Sequence, residues 1–292
     1  HDPHVDGAVR ADHGHAFSRS KPAVSTPGPQ PVRRTTAHLL PTTADGGVHA
    51  PTATLVSVRL DFGDDPAARL REAARLPAAA PLTAVDVRTE TVTVQHGDHV
   101  LDMHIDRIYY ATPTTSPATH SLAEALALPS RPTPEELVPE EVLPATALRR
   151  FAVYGLVTDP AARLLLSRIA PGYPGEGTWH LPGGGVAHGE DIRTALIREI
   201  AEESSQEAQP GRLLAVTHHY RNHPDGPYTD IYSLWVFFHA HVDDPGPVRV
   251  AETDGSTIEA SWFSPEQLPH LRLSVPARRG LAFLVESSPA GR

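Results

Sequence analysis

The chain has 292 residues, a formal charge of −10 from 25 Lys+Arg against 35 Asp+Glu, 40% hydrophobic residues and no cysteine. That length holds about two domains, and the missing cysteine excludes disulfides, thiolate metal sites and cysteine nucleophiles. The acidic balance argues against a polyanion-binding surface over the whole chain, so no nucleic acid polymer is expected as a partner. A small phosphorylated substrate stays open, because a bound cation reverses the local sign.

No apolar run approaches the roughly 20 residues that cross a bilayer, and no basic-then-apolar leader opens the chain. The expectation is a soluble, cytoplasmic protein with no membrane partner. The chain opens at His1 rather than Met, as a processed form or a fragment does, and its original N-terminus is left open.

Residues 1–30 are polar and rich in His, Pro, Ser and Gly, which reads as a flexible tail. Its histidines His1, His4, His13 and His15 read as solvated rather than metal-binding. Residues 31–145 form a first unit and 146–292 a second. In the second, RRFAVYGLVTD (149–159) and ARLLLSRI (162–169) predict two strands with a hairpin around TDPAA. A loop rich in Gly and Pro follows, leading through TWHLPGGGV into a helix from about 190 to 204. LLAVTHHY (213–220), YTDIYSLWVFFHAHV (228–242) and ASWFS (260–264) predict three more strands. SPEQLPHL (264–271) predicts a helix start, with Ser264 as cap and Pro265 at the first position. PARRGLAFLVES (276–287) has helical spacing at Leu281, Leu284 and Val285.

The first unit repeats this order weakly. LDMHIDRIYYAT (101–112) matches TDIYSLWVFFHA (229–240), TPEELVP (133–139) matches SPEQLP (264–269), and TLVSVRLDFGDD (54–65) matches HLPGGGVAHGED (180–191). The offsets stay near about 128 residues, which predicts two tandem copies of one fold.

The segment GGGVAHGEDIRTALIREIAEESSQ (183–206) carries the chemistry. Three glycines break regular structure and let backbone approach a ligand. On the helix that follows, Glu199, Glu202 and Glu203 stand at i, i+3 and i+4 on one face. Bare carboxylates so placed repel by roughly 0.2–0.5 kcal/mol per pair. A hard divalent cation removes that cost; a solvated helix face is the other reading, and spacing alone does not choose between them.

The fuller pattern is more specific. Gly184, five residues, Glu190, seven residues, then Arg198-Glu199-Ile200-Ala201-Glu202-Glu203 resembles the signature box of Nudix hydrolases. The resemblance covers roughly 148–288. It implies an α/β sandwich with a mixed sheet between helices. The implied activity is cleavage of a nucleoside diphosphate linked to another moiety, with Mg²⁺ or Mn²⁺. It places metal ligands at Glu199, Glu202, Glu203 and the Gly184 carbonyl, Arg198 among the catalytic residues, and Gly183, Gly185 and Glu190 beside the substrate. The general base is a box glutamate or an acid on a later loop, for which Glu252 and Glu259 are candidates.

Two positions depart from the box. Ser205 stands where the family has a glycine, and Gln206 where it has an apolar residue. If the helix ends left-handed there, the serine costs about 1 kcal/mol.

In the first unit, the equivalent stretch DFGDDPAARLREAARLPAAAP (61–81) puts Asp64 opposite Glu190, but Ala73, Leu76 and Pro77 opposite the three glutamates. The first unit is therefore expected to be a degenerate copy that cannot hydrolyse, packed on the second as a partner subunit packs; a homodimer of the whole chain is the other possibility. Trp179 is a candidate for stacking on a base, equally explained as a buried strand aromatic; for His218, His219 and His223 a structural or solvated role outweighs contact with phosphate, and Tyr220 and Pro224 fall at spacings that mark no substrate. A non-catalytic nucleotide-sensing protein on the same fold is the competing function.

Overall fold

The computed structural model describes residues 29–40, 56–113, 131–140, 142–223, 227–253 and 255–286. The tail histidines and Pro224 lie outside them.

The second half is built on a seven-stranded mixed sheet. Its path runs β11 (Thr257–Phe263), β6 (Leu164–Ile169), β5 (Ala147–Thr158), β10 (Asp230–His241) and β9 (Gln209–Asn222), with β7 (Trp179–His180) on β6 and β8 (Gly183–Gly185) on β5. β5 and β10 form a parallel central pair. They are buried on both faces, which is why their sequences are continuous apolar runs instead of alternations. The predicted hairpin is present. Asp159 closes it by accepting from the Ala161 and Arg163 amides at 3.0 and 2.8 Å, and Thr158 pairs with Leu164.

One face of this sheet carries the helix Ile192–Ser204. Leu196 and Ile200 of that helix lie against Gly155 of β5. The other face carries the helix Val275–Glu286, with Leu281 and Phe283 packed among Tyr154, Leu156 and Phe237.

The expected helix start at Ser264 does not form. Residues 265–267 are a turn and Leu268–His270 a 3-10 helix whose preceding residue makes no side-chain cap. Pro269 is the reason: it has no N–H to donate and disfavours helical backbone at Leu268. The Ser264 amide donates to Gln267 Oε1 at 2.8 Å and its carbonyl accepts from the Gln267 amide at 3.0 Å, which closes one turn.

The first half has a four-stranded sheet in the order β2 (Val56–Arg59), β1 (Gln30–Leu39), β4 (His99–Ala111), β3 (Thr83–His96). β1 and β4 are parallel, and both outer strands pair antiparallel. The second half pairs β8-β5-β10-β9 in the same sense, with a parallel centre and antiparallel flanks. α1 (Pro66–Ala73) follows β2 as α3 (Ile192–Ser204) follows β8. Between them in the chain, α2 (Pro134–Leu137) is a single turn closed by a capping box on Thr133; α4 is Val275–Glu286.

α1 stops early. Its C-cap is Ala74, and Arg75 turns left-handed at φ 55°. Of the residues placed opposite the glutamates, Ala73 ends the helix, and Leu76 and Pro77 lie beyond it.

The two halves share one core. Ala37, Leu60, Leu70, Val87 and Tyr110 from the first sit in the same cluster as Val153, Leu196, Ile200, Tyr232 and Phe238 from the second. The Tyr232 hydroxyl donates to the Asp64 carbonyl at 2.5 Å across the join. Among the described residues no helix is long and apolar enough to cross a membrane.

Candidate active site

Two of the three glycines in β8 are required by close approach. Gly183 has φ 142°, and a Cβ there would lie 2.1 Å from the Val153 carbonyl oxygen. A Cβ on Gly184 would lie 2.6 Å from Glu199 Oε1. Gly185 faces open space, with nothing within 4 Å of such an atom.

α3 begins at Asp191, whose carboxylate accepts from the Arg193 and Thr194 amides at 2.9 and 3.1 Å. Ile192, Ala195, Leu196 and Ile200 bury one side of the helix. Glu203 is buried with them, while the Arg198 and Glu202 side chains stay partly exposed.

Arg198 is the hub of this face. Its Nε and Nη2 reach both oxygens of Glu190, at 2.8 and 3.1 Å. Its Nη1 donates to Glu199 Oε1 at 2.9 Å and to Glu202 Oε2 at 3.0 Å. One guanidinium thus offsets three carboxylates. Their negative charge keeps Arg198 firmly protonated, and its hydrogen bonds hold Glu190 below the usual carboxylate range.

Glu203 lies apart from that hub and is 3% exposed. Ser167 Oγ and the Gly183 amide donate to its Oε2 at 3.0 and 3.3 Å, and Thr257 Oγ1 to its Oε1 at 3.0 Å. Burial first, and then the Glu199 charge, push its pKa up to about 8 despite these donors. Burial also raises Glu199, outweighing Arg198 beside it.

The residues expected to bind metal are brought to one place but not assembled. Among the described residues no three acidic or imidazole groups converge into an ion-holding set. The reason is visible: Arg198 holds Glu199 and Glu202, while Glu203 is turned to three strands. The donor chemistry nevertheless fits a hard divalent cation. These are carboxylate oxygens beside a glycine backbone, and burial raises two of the carboxylates, Glu199 and Glu203.

The two candidate bases separate. The Glu252 amide donates to the Glu202 carbonyl at 3.0 Å, and its carboxylate accepts from the Thr257 amide at 2.8 Å. It is close enough for its charge to raise Glu199. Glu259 is exposed and pairs with Arg168 across the β11–β6 ladder at 3.3 Å. Glu190, expected beside the substrate, spends both oxygens on Arg198 and also accepts from the Ala187 amide.

Trp179 packs edge-on against Phe263. His219 stacks on Trp235 at 4.8 Å, His218 lies 4.0 Å from Asp65, and His223 and Tyr220 are exposed. None of these side chains joins the glutamates by a hydrogen bond or ion pair.

Sequence reasoning missed Ser167 and Thr257, which hold Glu203. Both are small hydroxyl residues facing inward on apolar strands, and that is the signal that could have found them.

The helix keeps the left-handed end that a glycine would serve, although a serine stands there. Ser205 is left-handed at φ 56° and ψ 30°. Its Oγ donates to the Arg249 carbonyl at 2.9 Å. Gln206 is 1% exposed, and its amide donates to the Ser204, Gly246 and Pro247 carbonyls. An apolar residue there would pack but could not satisfy that loop's carbonyls.

Residues 148–283 match the NUDIX domain family. The chain is 29% identical over 137 residues to nucleoside triphosphatase NudI of Escherichia coli O139:H28 (strain E24377A / ETEC), a match covering 46% of this chain and 94% of that protein. Among solved structures, the MutT NUDIX hydrolase from Burkholderia pseudomallei is 28% identical, with 47% of this chain and 98% of that one covered at a TM-score of 0.36. The MutT protein from Methanosarcina mazei Go1 is 22% identical, with 49% and 97% covered at a TM-score of 0.38. At residues 148–283 the chain carries a NUDIX domain.

Proposed function

We propose that the chain is a metal-dependent hydrolase that cleaves the diphosphate linkage of a nucleoside diphosphate derivative or a related small molecule, using Mg²⁺ or Mn²⁺. The observation that carries this reading is the glutamate face of α3. Glu199 lies against Gly184 with Glu202 held beside it, and Glu199 and Glu203 both have raised pKa values that a cation would bring down. The name of the NudI relative, a nucleoside triphosphatase, supports a nucleotide as the substrate class.

Glu199, Glu202, Glu203 and the Gly184 carbonyl are the groups that would hold the ion. When bound, a divalent cation neutralises phosphate oxygens and makes a nearby water more acidic. Arg198 fixes where Glu199 and Glu202 aim. Glu252 is the better-placed base: it takes a proton from the water that attacks phosphorus, as the bridging P–O bond breaks to give two phosphate-ended products. Glu259 has no such position.

We read residues 31–145 as a degenerate second copy and 146–292 as the catalytic one. The repeated pairing order supports this, as do the matching caps Asp65 and Asp191. The short α1 leaves the first copy no helix face for a second carboxylate cluster.

The test is phosphate release from a panel of diphosphate compounds with Mg²⁺ or Mn²⁺, comparing wild type with Glu202→Gln. Metal-dependent turnover that collapses in the variant is expected, and the responding compound gives the substrate class. Saturable nucleotide binding without turnover, unaffected by the substitution, would overturn this reading in favour of a sensor.

A further inference from the structure

The loop from Val186 to Asp191 joins β8 to α3 and carries Glu190, the partner of Arg198. Its backbone is gripped at three points by side chains of the first half. Arg33 Nη1 donates to the Val186 carbonyl at 2.6 Å. The Gly189 amide donates to His104 Nδ1 at 2.8 Å. The Ile192 amide, at the first turn of α3, donates to Thr89 Oγ1 at 3.3 Å.

These three side chains converge on one carboxylate. Asp106 Oδ2 accepts from Arg33 Nε at 2.8 Å. Asp106 Oδ1 accepts from His104 Nε2 and from Thr89 Oγ1, both at 3.1 Å. Since His104 Nδ1 accepts from Gly189, its proton sits on Nε2 and is donated to Asp106. Asp106 and His104 are fully buried. A buried polar cluster of this kind contributes little net stability over an apolar replacement. What it does here is fix three directions at once.

We propose that Asp106, His104, Arg33 and Thr89 form a positioning unit through which the first half sets the geometry of the active site in the second. Asp106 orients three side chains, and these hold the loop. The loop holds Glu190, Glu190 holds Arg198, and Arg198 aims Glu199 and Glu202. The first half, without carboxylates for its own reaction, serves that of its neighbour. This inference rests on the hydrolase reading above.

The experiment compares the full chain with His104→Leu, His104→Asn, Thr89→Val and Met103→Ala. Asn offers an acceptor near the position of Nδ1, and Val is isosteric with Thr. Met103 is buried on the same strand but packs in a separate cluster with Leu101 and Ile105, so its truncation destabilises without touching the loop. Readouts are kcat and KM on the responding compound, Mn²⁺ affinity by electron paramagnetic resonance, and amide hydrogen exchange at 189–192.

His104→Leu and Thr89→Val are expected to lower kcat and weaken Mn²⁺ binding by about 10–100-fold, with KM little changed and faster exchange at 189–192. His104→Asn should recover part of the loss, and Met103→Ala should leave kcat unchanged below its melting temperature. Unchanged kcat and Mn²⁺ affinity in the His104 and Thr89 variants would overturn the proposal, as would an equal kcat loss in Met103→Ala. If wild type turns over nothing on the panel, the hydrolase reading fails by itself, and Mn²⁺ affinity and amide exchange still decide the positioning.

Discussion

Gly184 and Glu199 are in contact across the β8–α3 junction, and the glutamate carboxylate fills the space a side chain on Gly184 would take. A methyl group there would sit 2.6 Å from Glu199 Oε1 and 2.7 Å from its Cδ. Gly184→Ala should therefore push Glu199 aside while β8 still pairs with β5. A displacement of this size is expected to lower turnover by about 10²-fold. Gly185→Ala, which meets nothing, should leave turnover near wild type. Equal effects from the two substitutions in a steady-state assay would sink the idea.

Arg198→Lys keeps the positive charge but loses the planar fork that reaches Glu190 through two nitrogens and Glu199 and Glu202 through a third. A lysine ammonium cannot hold all three carboxylates in those directions. Turnover is expected to fall about 10–100-fold, with circular dichroism unchanged. Wild-type kcat in the lysine variant would show that charge alone suffices.

Glu252 and Glu259 make a paired test. Loss of a general base commonly costs about 10²–10⁴-fold. Glu252→Gln should show a loss in that range, because the amide can still accept from Thr257 but cannot take a proton. Glu259→Gln should be silent, since that residue only pairs with Arg168 on an exposed ladder. The reverse ranking would move the base to β11.

Ser205 is a helix end where glycine should bring little. Relief of left-handed backbone is worth about 1 kcal/mol for an ordinary residue. Ser205→Gly also loses the hydrogen bond to the Arg249 carbonyl and adds chain entropy to the unfolded state, each about 0.5–1 kcal/mol. Ser205→Gly is expected within about 1 kcal/mol of wild type in urea unfolding, while Ser205→Ala, which keeps the strain and loses the bond, should be the less stable of the two. A gain of several kcal/mol from glycine would mean that the Arg249 contact contributes nothing.

His38 sets a pH dependence of stability. It is 1% exposed, and burial lowers its pKa to about 4, although Glu136 lies 3.8 Å away and opposes the shift; Arg107 adds to it. Thr36 and Ser57 bond its two ring nitrogens, and Tyr109 stacks on it. The unfolded chain takes up a proton near pH 6.5 and the folded one only near 4. His38 therefore costs no stability above pH 6.5. Stability falls as pH drops from 6.5 to 4, by up to about 3 kcal/mol, and levels below that. Urea unfolding of wild type and His38→Gln at pH 7, 5.5 and 4 should show a steeper loss in wild type. Parallel curves would rule His38 out as the source.

Periodicity along the chain was enough to find α3, the hairpin at Asp159, and the apolar runs of β5 and β10, because each depends on neighbours a few residues away. The spacing of Gly184, Glu190, Arg198 and the three glutamates was likewise legible, since a helix turns i, i+3 and i+4 to one side whatever surrounds it. The helix expected at Ser264 failed for a reason also local, the proline at 269. Tertiary structure alone decided that Glu203 is buried between three strands, that Glu252 and not Glu259 lies beside the cluster, and that His104 grips the Gly189 amide from 85 positions away. Such contacts depend on strand register and on how the two sheets share one core. Neither is carried by any window of sequence short enough to read by period.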